Sequence, residues 1–417
     1  MTSATYNVPR PALLLVLDGI RPDVLRAAIR DGDAPNLGVL AERGEAVWDA
    51  VSVFPSITPA ATAAIATGEA PARSGIVGHA WYDEYERRVV VYGAMTETVM
   101  ASGPIRVFHN NVWRMNRDDL HAATLFEALH DRGFDGACVN FPVRRGPHTH
   151  PIRMKTIEGY LMGGRYLGPS VQGPKEYFMG DLFYSRDTGF SGRKANGGVL
   201  RSVGINDDYA ARVGAMLLKE RAAPFNLVYF FKGDSIAHHH GLSAQRQWLT
   251  TAEEYVARIF RAGGGVERVL EDYAVLALSD HGHAPLLPKS RYVDLRAIPG
   301  QKVSSGVKAR FGNGTTIVVV PNGRSALLYL RGDVELESVV EKLVGRRGVD
   351  LAAWMEDGWA AVRRLGREVR FLPGSGARDS FGRSWELEGD PRAWSWSGAV
   401  YAASRGMLEM IEILKVK

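Results

Sequence analysis

The sequence lacks most of the features that would cross-link a protein or bind it to a polyanion or a bilayer. A single cysteine, Cys138, occurs in 417 residues. That excludes an internal disulfide and a zinc finger built on thiolates. Its apolar surroundings, "GACVNF", place it in the core. No apolar run approaches the ~20 residues needed to span a bilayer. The apolar piece near the N-terminus is short and runs straight into Asp18 with no small-residue cleavage site, so no signal peptide is expected and the cytoplasm is the expected compartment. Lys and Arg number 51 against 46 Asp and Glu, a net charge of +5, but no basic stretch is clustered. A small anionic substrate suits that balance, whereas nucleic acid and membrane are not expected partners. The sequence does not indicate an oligomeric state. Histidine is short in one place: the last of 11 is His283.

Apolar residues make up 46% and charged residues 23%, the balance of an ordinary globular protein rather than a disordered one. The length exceeds one simple core. "ALLLVL" (12–17) reads as a buried parallel strand. Helical pattern follows over 22–43. "AATAAIATG" (60–68) reads as a helix closed by Gly68. "LHAATLFEALHDRG" (120–133) reads as an amphipathic helix feeding the strand "FDGACVNF". "APFNLVYFF" (223–231) and "YAVLALSD" (273–280) are further buried strands, with a helix at 245–262 between them. Repeated β–α units predict a parallel sheet. Two regions break the rhythm. Residues 144–205 read as a lid-like insertion. Residues 286–375 carry the turn signals Asn313-Gly314 and Asn322-Gly323, which predict hairpins, followed by helical pattern at 334–345 and 349–364. The expected organisation is a metal-binding core over 1–285, a small α+β cap over 286–375 and a return to the core over 376–417.

"LALSDHGHAP" (276–285) ends an apolar strand abruptly in a carboxylate and an imidazole. Other strands do the same. Asp18 follows "LLLVL", and Asp234 and His238 follow "LVYFF" within "GDSIAHHHG". In a parallel sheet such tips share one edge. Asp18, Asp234, His238, Asp280 and His281 then form a mixed carboxylate and imidazole set that suits zinc, with manganese or iron as alternatives. Without cations the carboxylates would repel and their pKa values would rise.

Four segments, in order along the chain, carry a family resemblance: "LDGIRPD" (17–23), "FPSITPAATAAIATGEAPARSGIVGHAWYD" (54–83), "GDSIAHHHG" (233–241) and "SDHG" (279–282). The chain resembles the alkaline phosphatase superfamily, in its nucleotide pyrophosphatase/phosphodiesterase-like branch. The resemblance implies a three-layer αβα core with a mostly parallel sheet, plus a smaller inserted α+β cap. It implies two divalent metal ions. Asp18, Asp280 and His281, with the nucleophile hydroxyl, fall where the family binds one, and Asp234 and His238 fall where it binds the other. It puts Thr58 at the nucleophile position and His79 where a residue contacts a phosphoryl oxygen. The implied activity is hydrolysis of phosphoric esters, diesters above all, through a phosphothreonine. Phosphonate hydrolysis, phosphomonoester hydrolysis and an impaired, ligand-binding relative are the alternatives. A sulfatase is disfavoured because no "C/S-x-P-x-R" stretch lies at the nucleophile.

The chemistry agrees with the residues. Threonine is a weak nucleophile until a base or a cation activates it. Thr58 precedes an Ala-rich helix whose amino terminus favours phosphate; a plain helix cap is the competing explanation. His79 suits either a core position or hydrogen bonding to developing charge.

Two departures stand out. The family completes its second metal site with a late histidine, and residues 284–417 contain none. His283, His240 or Asp379 is the expected substitute, or that site is incomplete. "TPAAT" (58–62) also departs from the Thr-Phe-Pro-Asn-His of nucleotide pyrophosphatases. The leaving-group pocket is expected in the two irregular regions, with Tyr160, Tyr166, Tyr177, Arg144, Arg145, Arg153 and Lys155 as candidate contacts or as solvated surface.

Overall fold

The computed structural model describes residues 10–93, 96–153, 170–189, 204–286, 288–289, 292–378 and 383–394. The chain divides into two compact units, one formed by residues 1–50 with 123–284 and the other by 51–122 with 285–417. Residues 51–122, expected in the metal-binding core, thus group with the C-terminal part.

The first unit is built on a six-stranded sheet. Its strands are β1 (Ala12–Leu17), β2 (Gly136–Val139), β3 (Glu176–Met179), β4 (Phe183–Tyr184), β5 (Phe225–Phe230) and β6 (Ala274–Leu278). The order is β6-β1-β5-β2-β3-β4. All neighbours pair in parallel except β3 and β4. The continuous apolar run of β1 has a physical cause: Leu13 to Leu17 are all buried, so both faces of the strand are covered. Leu13, Leu15 and Leu17 pack with Val228 and Phe230 against Tyr209, Val213, Leu217, Leu249, Val256 and Phe260 of the helices Asp207–Glu220 and Lys232–Ala262. The strand β6 differs from expectation. It lies at the sheet edge, and Leu276 is 51% exposed.

Helices run over Pro22–Arg30 and Pro35–Arg43 within the expected 22–43 segment. The expected helix at 120–133 is shorter, Leu125–His130. A capping box formed by Thr124 and Glu127 sets its start. Helical structure runs over Lys232–Ala262 as two helices that meet at Gly241, whose φ of 81° and ψ of −179° are not helical; the second contains the expected 245–262. Within the irregular 144–205 region, β3 and β4 join the main sheet, and His148–His150 pairs with Val171–Gly173. Tyr160, Tyr166 and Lys155 lie outside the described residues. Tyr177 and Arg144 are neither pocket contacts nor solvated surface: both are fully buried, with the guanidinium 5.2 Å from the ring centroid.

The second unit contains the helix Thr58–Thr67, closed by Gly68 in the left-handed conformation, and the hairpin Ala80–Asp83/Arg88–Val91. Asn322-Gly323 makes the expected hairpin between Ile317–Asn322 and Ser325–Leu330. Asn313-Gly314 does not. The strands around it, Val303–Ser305 and Ile317–Asn322, pair in parallel. The helix Leu336–Val344 matches the pattern at 334–345. The helix expected at 349–364 is instead a hairpin, Leu351–Glu356 with Trp359–Arg364. Asp357 and Gly358, at φ 48° and 85°, form its two-residue turn. That Asp-Gly signal outweighs the Ala-rich helical pattern on either side. The expected boundary at 375 falls inside the strand Arg367–Arg378, which pairs with Ser384–Gly389. Asp379 lies outside the described residues.

Candidate metal centre and catalytic residues

Parallel register brings the strand tips level. Val16 pairs with Leu278, and Leu17 with Phe230. The residues that follow β1, β5 and β6 therefore emerge side by side at the carboxyl edge of the sheet, where α/β proteins bind ligands. The loops are tied together there. Gly19 N donates to Asp280 Oδ1 at 3.1 Å, Ile20 N to Ser279 Oγ at 2.8 Å, and Ser279 Oγ to the His281 carbonyl at 2.6 Å.

Asp18, Asp280 and His281 converge. His281 Nε2 lies 3.6 Å from Asp18 Oδ1 and 3.6 Å from Asp280 Oδ2. All three side chains are almost fully buried. Asp234 and His238 converge beside them. The two are four residues apart in the first turns of the Lys232–Ala262 helix, so both project from one face, and His238 Nε2 lies 3.3 Å from Asp234 Oδ1. His281 Nε2 is 3.9 Å from the same Asp234 oxygen, which makes the two groups adjacent.

The donor set fits divalent cations. Asp18 uses Oδ2 to accept from the Tyr229 hydroxyl, while its buried Oδ1 has no hydrogen-bond partner. Asp234 Oδ1 and His283 Nε2 are likewise buried without one. Buried polar atoms in that state are costly unless a ligand or ion meets them. Burial, then the charges of Asp280 and Asp234, hold the Asp18 carboxyl well above its ordinary range. Burial also opposes ionisation of Asp234, but the imidazoles of His238 and His283 beside it prevail and hold it low. The same carboxylate lifts His238 above its ordinary value. A carboxylate-rich pocket with imidazoles is a hard-to-borderline donor set, suited to zinc or manganese. A separate surface group, His130, Asp135 and His148, differs in kind, because Lys175 Nζ already sits 2.8 Å from Asp135 Oδ2.

Thr58 and His79 belong to the second unit. Thr58 is the first residue of its helix, followed by Pro59. The capping position falls to Ile57, which has no polar side chain. The Thr58 hydroxyl stands in the first turn, at the positive end of the helix. His79 immediately precedes the hairpin strand Ala80–Asp83, and its carbonyl accepts from Tyr92 N at 2.7 Å. The hairpin is held by Arg114, which reaches Asp83 at 2.7 Å, Asp119 at 2.8 Å and also Glu86.

Sequence reasoning missed Tyr229 and Gln245. Gln245 Nε2 donates to the Gly19 carbonyl at 2.9 Å. Neither residue has a sequence signal, since each acts only through contacts across the fold. His240 is exposed and is not one of the cluster.

A family model, type I phosphodiesterase/nucleotide pyrophosphatase, matches residues 12–361. The chain belongs to the type I phosphodiesterase/nucleotide pyrophosphatase family. Membership of this metal-dependent family makes the chain a phosphoester hydrolase by class. Murine ectonucleotide pyrophosphatase/phosphodiesterase 5 is a structural relative, with TM-score 0.53 and 13% identity over 83% of this chain and 72% of that one. The same values hold for its inactive threonine-to-alanine form in complex with AMP. Phosphonoacetate hydrolase from Sinorhizobium meliloti 1021, in complex with phosphonoformate, is 20% identical over 81% of this chain and 74% of that one, with TM-score 0.45. No curated protein sequence matches. The murine relative shares the fold, so the mostly parallel α/β core is alkaline phosphatase-like. Among the described residues no helix is long and apolar enough to cross a membrane.

Proposed function

We propose that the protein hydrolyses phosphodiesters with Thr58 as nucleophile, through a phosphothreonine, at a centre for two divalent cations, zinc above all. The observation that carries this reading is the convergence of Asp18, Asp280 and His281 at 3.6 Å beside Asp234 and His238. Asp18, Asp280 and His281 would hold one cation together with the Thr58 hydroxyl; Asp234 and His238 would hold the other. Bound there, the cations would supply Lewis-acid stabilisation of the phosphoryl oxygens and make hydroxyl groups acidic.

The chain's own residues do the rest. Thr58 gives up its proton to solvent and attacks phosphorus, and the leaving oxygen departs on the opposite side and takes up a proton from solvent to become the alcohol. The amide groups of the helix that Thr58 opens favour the phosphoryl charge. His79 donates a hydrogen bond to a phosphoryl oxygen. Water then cleaves the phosphothreonine and restores the hydroxyl. A related protein whose threonine-to-alanine form is inactive and holds AMP supports both the nucleophile type and a phosphate-ester ligand. The substrate remains a small phosphate ester.

Thr58→Ala tests the reading. Turnover of bis-p-nitrophenyl phosphate with added zinc or manganese should disappear while bound metal stays near the wild-type amount. A wild-type rate in that variant contradicts the nucleophile assignment. The rate ratio of bis- to mono-p-nitrophenyl phosphate separates a diesterase from a monoesterase.

A further inference from the structure

Asp234 and His238 alone give the second cation two protein donors, and residues 284–417 contain no imidazole. We infer that His283 is the third protein ligand of that ion, so one short loop, Asp280–His283, serves both cations. Asp234, His281 and His283 offer ligand atoms that all lie within 4.8 Å of one another, so the loop borders both groups. This deepens the proposed function and rests on its metal centre.

The spacing carries the argument. Donor atoms about 2.0–2.1 Å from a tetrahedral zinc lie about 3.3 Å from one another. His283 Nε2 is 3.1 Å from Asp234 Oδ1, and His238 Nε2 is 3.3 Å from that same oxygen. The two imidazole rings, 4.9 Å apart and inclined at 82°, approach the carboxylate from different directions. Asp234 Oδ1 and His283 Nε2 face each other in the interior at ion-pair distance, and neither meets a partner in hydrogen-bond geometry. A cation between them removes that cost. The side chains of Asp234 and His283 are 20% and 12% exposed, whereas that of His238 is 53% exposed. The group is therefore closed on one side and open on the other, as a catalytic site with a vacant fourth position requires.

The backbone holds His283 in that place. Arg21 Nη1 donates to the His283 carbonyl at 3.1 Å. Gly19, at φ 70°, gives the ring its room: a Cβ there would stand 2.6 Å from His283 Nε2. A glycine in the loop after β1 and a histidine two residues beyond His281 thus form one steric unit.

The test uses cobalt spectroscopy and zinc content on the full chain. Wild-type protein loaded with zinc and desalted should hold two ions. His283→Ala should hold one, with affinity for the second reduced on the order of 100-fold or more, beyond the loss that supporting residues alone cause. His240→Ala should keep both. His283→Cys loaded with cobalt should gain a thiolate-to-cobalt charge-transfer band in the near ultraviolet. The native Cys138 thiol, buried and pushed up to about 12, will not supply that band. Two ions of unchanged affinity in His283→Ala, or no such band in His283→Cys, overturns the inference while leaving the metal centre intact. A wild-type chain that binds no zinc overturns the proposed function as well.

Discussion

At the scale of single residues, the cluster of carboxylates and imidazoles is costly to fold without a ligand. Asp18 is buried beside Asp280 and Asp234, so in metal-free protein it carries the cost of both burial and like charge. Asp18→Asn removes one charge and leaves an oxygen to accept from Tyr229. The metal-free variant is expected to melt above the metal-free wild type by about 2–4 °C, roughly 1 kcal/mol. It should also bind less zinc, and a chelator should lower the melting temperature of zinc-loaded wild type far more than that of the variant. Calorimetry with and without EDTA measures both effects, and equal chelator shifts would contradict the ligand role. The single residues also show where composition misleads. Tyr177 and Arg144 have the chemistry of a sugar-phosphate pocket, yet they stack on each other inside the core. Residue type carries no depth, and only the path of β3 through the sheet decides it.

At the scale of elements, caps and turns explain most departures from periodicity. The Leu125–His130 helix starts where Thr124 and Glu127 exchange hydrogen bonds, and Arg145 Nε adds a contact to Glu127 at 2.8 Å. Burial opposes ionisation of Glu127, but Arg145 and the Thr124 amide outweigh it and hold the carboxyl below its ordinary value. A carboxyl depressed by folding stabilises above its unfolded pKa of about 4.3 and loses that contribution as pH falls through the folded value. Glu127→Gln should therefore destabilise at neutral pH by about 0.5–1 kcal/mol. The gap to wild type should narrow below about pH 4 in denaturant titrations; a pH-independent gap would contradict the charge argument. The Asp357-Gly358 turn is the second case. Gly358→Ala puts a Cβ on a residue at φ 85° and should cost about 1 kcal/mol. Periodicity misread 349–364 because alanines fit a helix and a buried hairpin equally well, and only the Asp-Gly pair separates the two.

At the scale of the whole molecule, the sheet was the legible part. Strands β1, β2 and β5 stand where apolar runs place them, because parallel strands covered on both faces are apolar throughout, whereas β6 stands where its run places it but at the sheet edge, with Leu276 exposed. The clustering of Asp18, Asp234, His238, Asp280 and His281 was legible for the same reason: each sits just past a strand tip, and parallel register brings neighbouring tips level. His283 was left as one of several substitutes, since its position depends on how the loop after β6 folds over Gly19, and sequence spacing does not encode that path. The grouping of 51–122 with the C-terminal part was not legible either. Contacts far apart along the chain define such a unit, and no compositional change marks residue 51 or 122.

The most direct measurement is the anomalous diffraction of a crystal grown with zinc, with data on either side of the zinc absorption edge. Two peaks about 4 Å apart are expected. One should lie between Asp18, Asp280 and His281 with Thr58 Oγ within about 2.2 Å, and the other beside Asp234 and His238. A zinc ion at the first position with the Thr58 hydroxyl several ångströms away, or no ion among these side chains at all, would contradict the account.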